Sequence, residues 1–150
     1  MGEVYKKVLR FKLKYPMTIG WRLKQNSSVV EKHLNPDEKV LYAFIAQKND
    51  NPLNFIESAV VALTNKRILI GRKRVVIGYF LNSITPDMFN DLKVVAGIIW
   101  GKVHIDTVKE YVTLSNISND ALTEIETAIS SYMMEQKKKY GIREKEHYHH

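Results

Sequence analysis

Leu63-Thr64-Asn65-Lys66-Arg67-Ile68-Leu69-Ile70 is the stretch on which the fold turns. A strand over residues 55–64, with Ala59, Val61 and Leu63 on one face, runs into the tight turn Thr64-Asn65-Lys66 and leaves as a strand over residues 67–70. Thr and Asn close such turns through side chain–backbone hydrogen bonds, and Asn tolerates left-handed backbone. Lys66 and Arg67 then sit at a strand edge, where charge discourages unwanted pairing. The stretch is therefore read as structure, an antiparallel turn, rather than as chemistry.

Working outward, residues 40–46 are nearly all apolar and predict a strand buried on both faces. Asn49-Asp50-Asn51-Pro52 is a loop signal. Gly71-Arg72-Lys73 reads as a hairpin tip, because glycine supplies positive φ, and residues 74–81 as the fourth strand. A longer connection covers residues 82–90. A fifth strand over 92–96 and a sixth over 98–105 are separated at Gly97. Asp106-Thr107 is the next turn, and 108–114 the seventh strand. Ala121, Leu122, Ile125, Ala128, Ile129, Tyr132 and Met133 recur at helical spacing behind the cap candidates Ser118, Asn119 and Asp120. Lys137 to Lys139 suit a helix C-terminus, and the polar tail from Gly141 is expected to be loose.

Upstream, residues 4–14 fit two periods. Val4/Val8 and Tyr5/Leu9/Leu13 suit a helix, whereas Leu9, Phe11, Leu13 and Tyr15 alternate with Arg10, Lys12 and Lys14 as in a strand. Pro16 ends either element. A short helix is expected over 27–33, capped by Asn26 or Ser27 and stopped by Asn35-Pro36. The chain thus divides into a basic extension with a short helix (1–34), an α+β domain (35–139) and a flexible polar tail (140–150).

Seven short antiparallel strands followed by one amphipathic helix resemble the pleckstrin-homology (PH) fold, a strongly bent sheet or barrel capped by its C-terminal helix. Leu34-Asn35-Pro36-Asp37-Glu38-Lys39-Val40-Leu41 resembles the start of bacterial PH-like domains, and Leu63 to Ile70 is similar to the turn between their second and third strands. The resemblance covers residues 34–136 and points to the YokE-type family. It implies a non-catalytic adaptor or binding module that recognises a protein partner or an anionic surface, and it implies self-association. Sheet edges and the apolar stretch 40–46 are the candidate interfaces between copies.

Composition narrows the chemistry. The 150 residues are 45% apolar and 26% charged and contain no cysteine, which excludes disulfides, thiol catalysis and Cys-ligated zinc. GxSxG, GxGxxG, P-loop and HExxH patterns are all missing. No enzyme, cofactor, metal or small-molecule substrate is expected. His104 and Asp106 on one strand face are read as a surface pair, Met88, Met133 and Met134 as core fillers, and His147, His149 and His150 as an incidental tail. The longest apolar run, residues 94–100, falls far short of the roughly 20 residues that cross a bilayer. Arg10, Lys12 and Lys14 interrupt any export signal, so a cytoplasmic location, free or membrane-peripheral, is expected.

The net charge of +7 is unevenly placed. Residues 1–33 hold eight basic residues against Glu3 and Glu31, a local net of +6. Such an arm suggests an anionic partner. Lys6, Lys7, Arg10, Lys12, Lys14, Arg22 and Lys24, interleaved with Phe11, Leu13, Tyr15 and Trp21, are candidates for binding anionic lipid, and the same residues for single-stranded nucleic acid. The alternative is that these aromatics pack on the domain. Carried over from the eukaryotic relatives, the binding rim comprises residues 48–54, 71–74 and 106–107. Arg72, Lys73 and Arg74 suit phosphate there. Asp50, Glu57 and Asp106 stand where an inositide pocket would want cations, so a weak anionic-surface rim is expected instead.

Overall fold

A computed structural model describes residues 2–48 and 57–148, with side chains as far as Lys139. Helices α1 (Glu3–Lys14) and α2 (Leu23–His33) precede strands β1 (Val40–Lys48), β2 (Ser58–Thr64), β3 (Ile68–Lys73) and β4 (Tyr79–Ile84). A 3-10 turn (Pro86–Met88) leads to β5 (Phe89–Val95), β6 (Trp100–Thr107), β7 (Tyr111–Ser118) and the long helix α3 (Asn119–Tyr148). All seven strands form one antiparallel sheet in the order β4-β3-β2-β1-β7-β6-β5. The sheet curls into a half-barrel. Ala121, Leu122, Ile125, Ile129 and Met133 on α3 are buried against it, which is the expected stopper.

The two quoted motifs clasp each other. Arg67 donates from Nε to Glu38 Oε2 and from Nη2 to Glu38 Oε1, both at 3.0 Å. It also reaches the His33 carbonyl at 2.9 Å and Ser83 Oγ at 3.3 Å. Glu38 further accepts from the Thr64 hydroxyl and from the Asn35 amide. Alongside, Asn65 Oδ1 accepts from the Lys39 amide at 2.7 Å, and Lys66 pairs with Asp37 at 2.6 Å. A buried carboxylate must be paired and bonded to be tolerated, and Thr64 and Arg67 of this turn satisfy Glu38 while Asn65 and Lys66 fasten the neighbouring Lys39 and Asp37.

The N-terminal extension is part of the core. α1 is a helix because Val4, Val8 and Phe11, at i, i+4 and i+7, are all buried along one stripe. Among the described residues, β1 pairs with β7 at Gln47 and Lys48. Phe11 fills the opening beyond that short ladder, its ring centroid 5.8 Å from Phe44 and 6.4 Å from Tyr42. Glu31 of α2 accepts from the Tyr5 amide in the first turn of α1, tying the helices together. α2 lies over β2 and β3 on the other side of the sheet.

Several boundaries depart from the sequence reading. α2 starts at Leu23, not at Ser27, and neither Asn26 nor Ser27 caps it. Asn26 is buried, donating to the Ser58 carbonyl and accepting from the Lys73 amide. Gly71-Arg72-Lys73 lies inside β3, and the tip comes later, where the Arg74 amide donates to the Gly78 carbonyl. Gly78 takes the positive φ of 88°. Gly71 serves close approach instead: a Cβ there would lie 2.7 Å from Val30. Gly71→Ala is accordingly expected to destabilise the protein by about 1–3 kcal/mol in urea unfolding, the usual cost of overpacking.

Asp106-Thr107 ends β6, and the turn follows it, closed by Thr107 Oγ1, which accepts from the Glu110 amide and donates to its carbonyl. The seventh strand begins at Tyr111 accordingly. The connection expected over 82–90 shrinks, because β4 runs to Ile84 and β5 starts at Phe89. The tip between β5 and β6 spans residues 96–99, where Asn119 accepts from the Gly97 amide and donates to its carbonyl. α3 continues as helix to Tyr148, past the Gly141 boundary at which a loose tail was expected. Met134 is exposed rather than a core filler, unlike Met133. The apolar stretch 40–46 belongs to the central strand and Ala43, Phe44, Ile45 and Ala46 are buried. Leu41 of that stretch is exposed, and the sheet edges are β4 and β5.

Candidate anionic-surface site

The β3–β4 hairpin carries its cations and its exposed apolar side chains together. Arg72 in β3 and Arg74 just beyond it both lie over the ring of Phe80, at 4.7 Å and 4.1 Å, each a cation–π contact. Between them and β4 the tip presents Val75, Val76 and Ile77, which are 79%, 87% and 81% exposed. Three consecutive aliphatics this open are unlike the scattered single residues of an ordinary surface. Tyr79 closes the other side, its hydroxyl 3.0 Å from His33 Nε2. His33 Nδ1 faces the Val29 carbonyl at 2.6 Å; a carbonyl only accepts, so Nδ1 carries a proton and donates it to that bond.

The base of the hairpin is pinned by the N-terminal extension. Arg22, in left-handed backbone at φ 55°, donates from Nη1 to the Lys73 carbonyl at 2.9 Å. Asn26 holds the amide of the same residue. Trp21, partly exposed, lies beside Lys73 and Val75. Arg22 is thereby brought to the Arg72, Lys73 and Arg74 cluster, an association between two candidate sets that nothing in the sequence spacing announces.

Behind the tip a cavity of about 150 Å³ opens between Ala59, Ile70, Gly71, Arg72 and Phe80. Glu57 sits 3.4 Å from Arg72 in its wall. A carboxylate stands there against the guanidinium that a headgroup phosphate would use. The expected first rim segment, residues 48–54 with Asp50, lies outside the described residues apart from Lys48. The expected third, residues 106–107, is replaced at the rim by the turn over 108–110, with Val108 and Tyr111 exposed.

The remaining candidates go elsewhere. Lys12 turns back onto the Pro16 and Thr18 carbonyls and closes the α1–α2 loop; desolvation lowers its pKa. Lys6 lies near Glu3 at 3.8 Å. Lys7, Arg10 and Lys14 line a separate hollow beside β1, and Lys24 is exposed on α2. His104 is bonded to Thr113 and stacked on Tyr111, with no bond to Asp106; burial, then Lys102 and Lys93, lower its pKa. The side chains of His147, His149 and His150 lie outside the described residues. No helix among those described is long and apolar enough to cross a membrane.

A curled seven-stranded half-barrel, stoppered by its last helix, is the pleckstrin-homology architecture. The family model described as Bacterial PH domain matches residues 34–131, and the chain belongs to that family. The matched span begins at Leu34, after the α1–α2 pair. Among solved structures, the chain is similar to a pleckstrin homology domain from Shewanella amazonensis SB2B, at 13% identity over 75% of this chain and 89% of that one, with a TM-score of 0.49. It is also similar to a DUF1696 family protein with a pleckstrin-homology domain from Shewanella loihica PV-4, at 13% identity over 77% and 93%, with a TM-score of 0.47. No curated protein matches the chain.

Proposed function

We propose that the protein is a non-catalytic module that docks reversibly on anionic membrane surfaces, at the cytoplasmic face, through the β3–β4 hairpin. The observation that carries this reading is the run of exposed Val75, Val76 and Ile77 directly after Arg72, Lys73 and Arg74. Each basic residue near an anionic bilayer contributes about 1 kcal/mol, and each aliphatic side chain, fully buried, about 1.5–3 kcal/mol. One such signal gives marginal attachment and two together give stable attachment; the hairpin has both, with Trp21 and Arg22 beside it. Reading the N-terminal arm itself as the membrane or nucleic-acid element has less support, because Phe11 is 4% exposed and Lys12 is engaged within its own loop. A buried ring cannot stack on a base.

Co-sedimentation with phosphatidylserine–phosphatidylcholine vesicles tests the proposal. The wild-type chain is expected in the pellet at low salt, and progressively less of it as salt rises. Val76→Asp with Ile77→Asp, or Lys73→Glu with Arg74→Glu, is expected to lower partitioning roughly tenfold or more, the effect of a loss of about 1.4 kcal/mol. Both pairs are exposed, so circular dichroism should be unchanged. A wild-type chain that stays in the supernatant at low salt, or an Asp pair that pellets like wild type, sinks the reading.

A further inference from the structure

We propose a second recognition site, separate from the hairpin, in which the hollow between α1, β1 and α3 receives an apolar side chain of an acidic peptide segment from a partner protein. The hollow measures about 230 Å³, room for one such side chain. Phe11, Leu41, Tyr42 and Ala43 form its apolar wall, and Leu41 is 53% exposed although it is on the central strand.

Its mouth is cationic. Lys7 and Arg10, one helical turn apart on α1, both line it, and neither holds an ion pair or side-chain hydrogen bond among the described residues. Lys14 follows one turn later, and its amine lies 2.6 Å from Glu124 Oε1. The Tyr42 hydroxyl donates to Glu124 Oε2 at 2.9 Å. Burial works against the Glu124 carboxylate, but the bonds from Lys14 and Tyr42 outweigh it and hold it ionised. Glu124 is thus neutralised by Lys14, and among the described residues the two cations left over have no acid to answer them.

Shape and charge together choose the occupant. A bilayer meets protruding side chains, whereas this surface is concave, and the group its two cations call for is a carboxylate next to an apolar anchor. A nucleic acid would need an open ring face, and Phe11 is buried while Tyr42 is half-buried. The site is independent of the membrane reading, because none of its residues belongs to the hairpin.

The test uses the full chain and a short fluorescein-labelled synthetic peptide carrying one phenylalanine flanked on both sides by aspartates and glutamates. Fluorescence anisotropy is expected to show saturable binding, weakened roughly tenfold or more by Lys7→Glu with Arg10→Glu, and by exchanging the peptide's phenylalanine for serine. Amide resonances of Ala43 and Leu41 should shift on titration. Val76→Asp with Ile77→Asp should leave this binding unchanged even where it abolishes vesicle sedimentation, so the two sites fail separately. Equal binding of the serine peptide, or unchanged affinity in the charge-reversed chain, overturns the proposal, as does no binding at low salt.

Discussion

Arg67→Ala is expected to cost roughly 3–5 kcal/mol of stability, the penalty for removing one partner of a buried ion pair. Glu38 has a fully buried side chain and Arg67 is 19% exposed, so truncating Arg67 leaves the carboxylate without its charged partner. The pH dependence should change sign with the substitution. In the wild-type chain, burial pushes the Glu38 carboxyl up, but Arg67, Thr64 and the Asn35 amide outweigh it and hold its pKa below 4.5. A folded-state pKa below the unfolded one stabilises above about pH 4.5, and that stability is withdrawn as pH falls through the folded value. Without Arg67, burial dominates and the carboxyl moves up, so the variant loses stability as pH rises instead. Urea unfolding at several pH values measures both effects. A loss under about 1 kcal/mol, or parallel pH profiles, would mean that the clasp does not hold the turn.

Phe11→Ala is expected to cost about 3–5 kcal/mol, as do other large-to-small changes in packed cores. The ring is 4% exposed and stands 5.1 Å from Tyr15 as well as near Phe44 and Tyr42. Leu13→Ala, two residues away and 73% exposed, serves as the control and should stay within about 0.5 kcal/mol. Thermal unfolding of the two variants side by side decides whether α1 belongs to the cooperative unit. Equal midpoints would make the extension an appendage, whatever its packing.

The candidate site was legible only in pieces. Arg72, Lys73 and Arg74 stood out as a basic triple, but Gly71 drew the hairpin tip three residues too early, because a glycine that admits a neighbouring helix looks the same in sequence as one that turns. The signal that would have found the true tip was the next glycine, Gly78, with Val75, Val76 and Ile77 before it. Arg22 and Trp21 could not be assigned to that tip, since the contact spans 51 residues between Arg22 and Lys73. The hollow between α1 and β1 was equally invisible: Lys7 and Arg10 read as part of a uniform basic arm, and only the position of Lys14 against Glu124 separates paired from unpaired cations.

Local order is where the chain speaks for itself. Alternation and turn chemistry sufficed for seven strands, and the 3.6-residue stripe from Ala121 to Met133 sufficed for the stopper, because hydrophobic period and side chain–backbone turns act between near neighbours. Long-range packing made the other decisions. Residues 4–14 satisfied two periods at once, and burial of Val4, Val8 and Phe11 over the gap left by the short β1–β7 ladder selected the helix. Which cations are neutralised, and which remain to meet a partner, depends on acids brought from 29 and 110 residues away, at Glu38 and Glu124. Coulombic pairing is set by distance in space, and sequence separation carries no record of it.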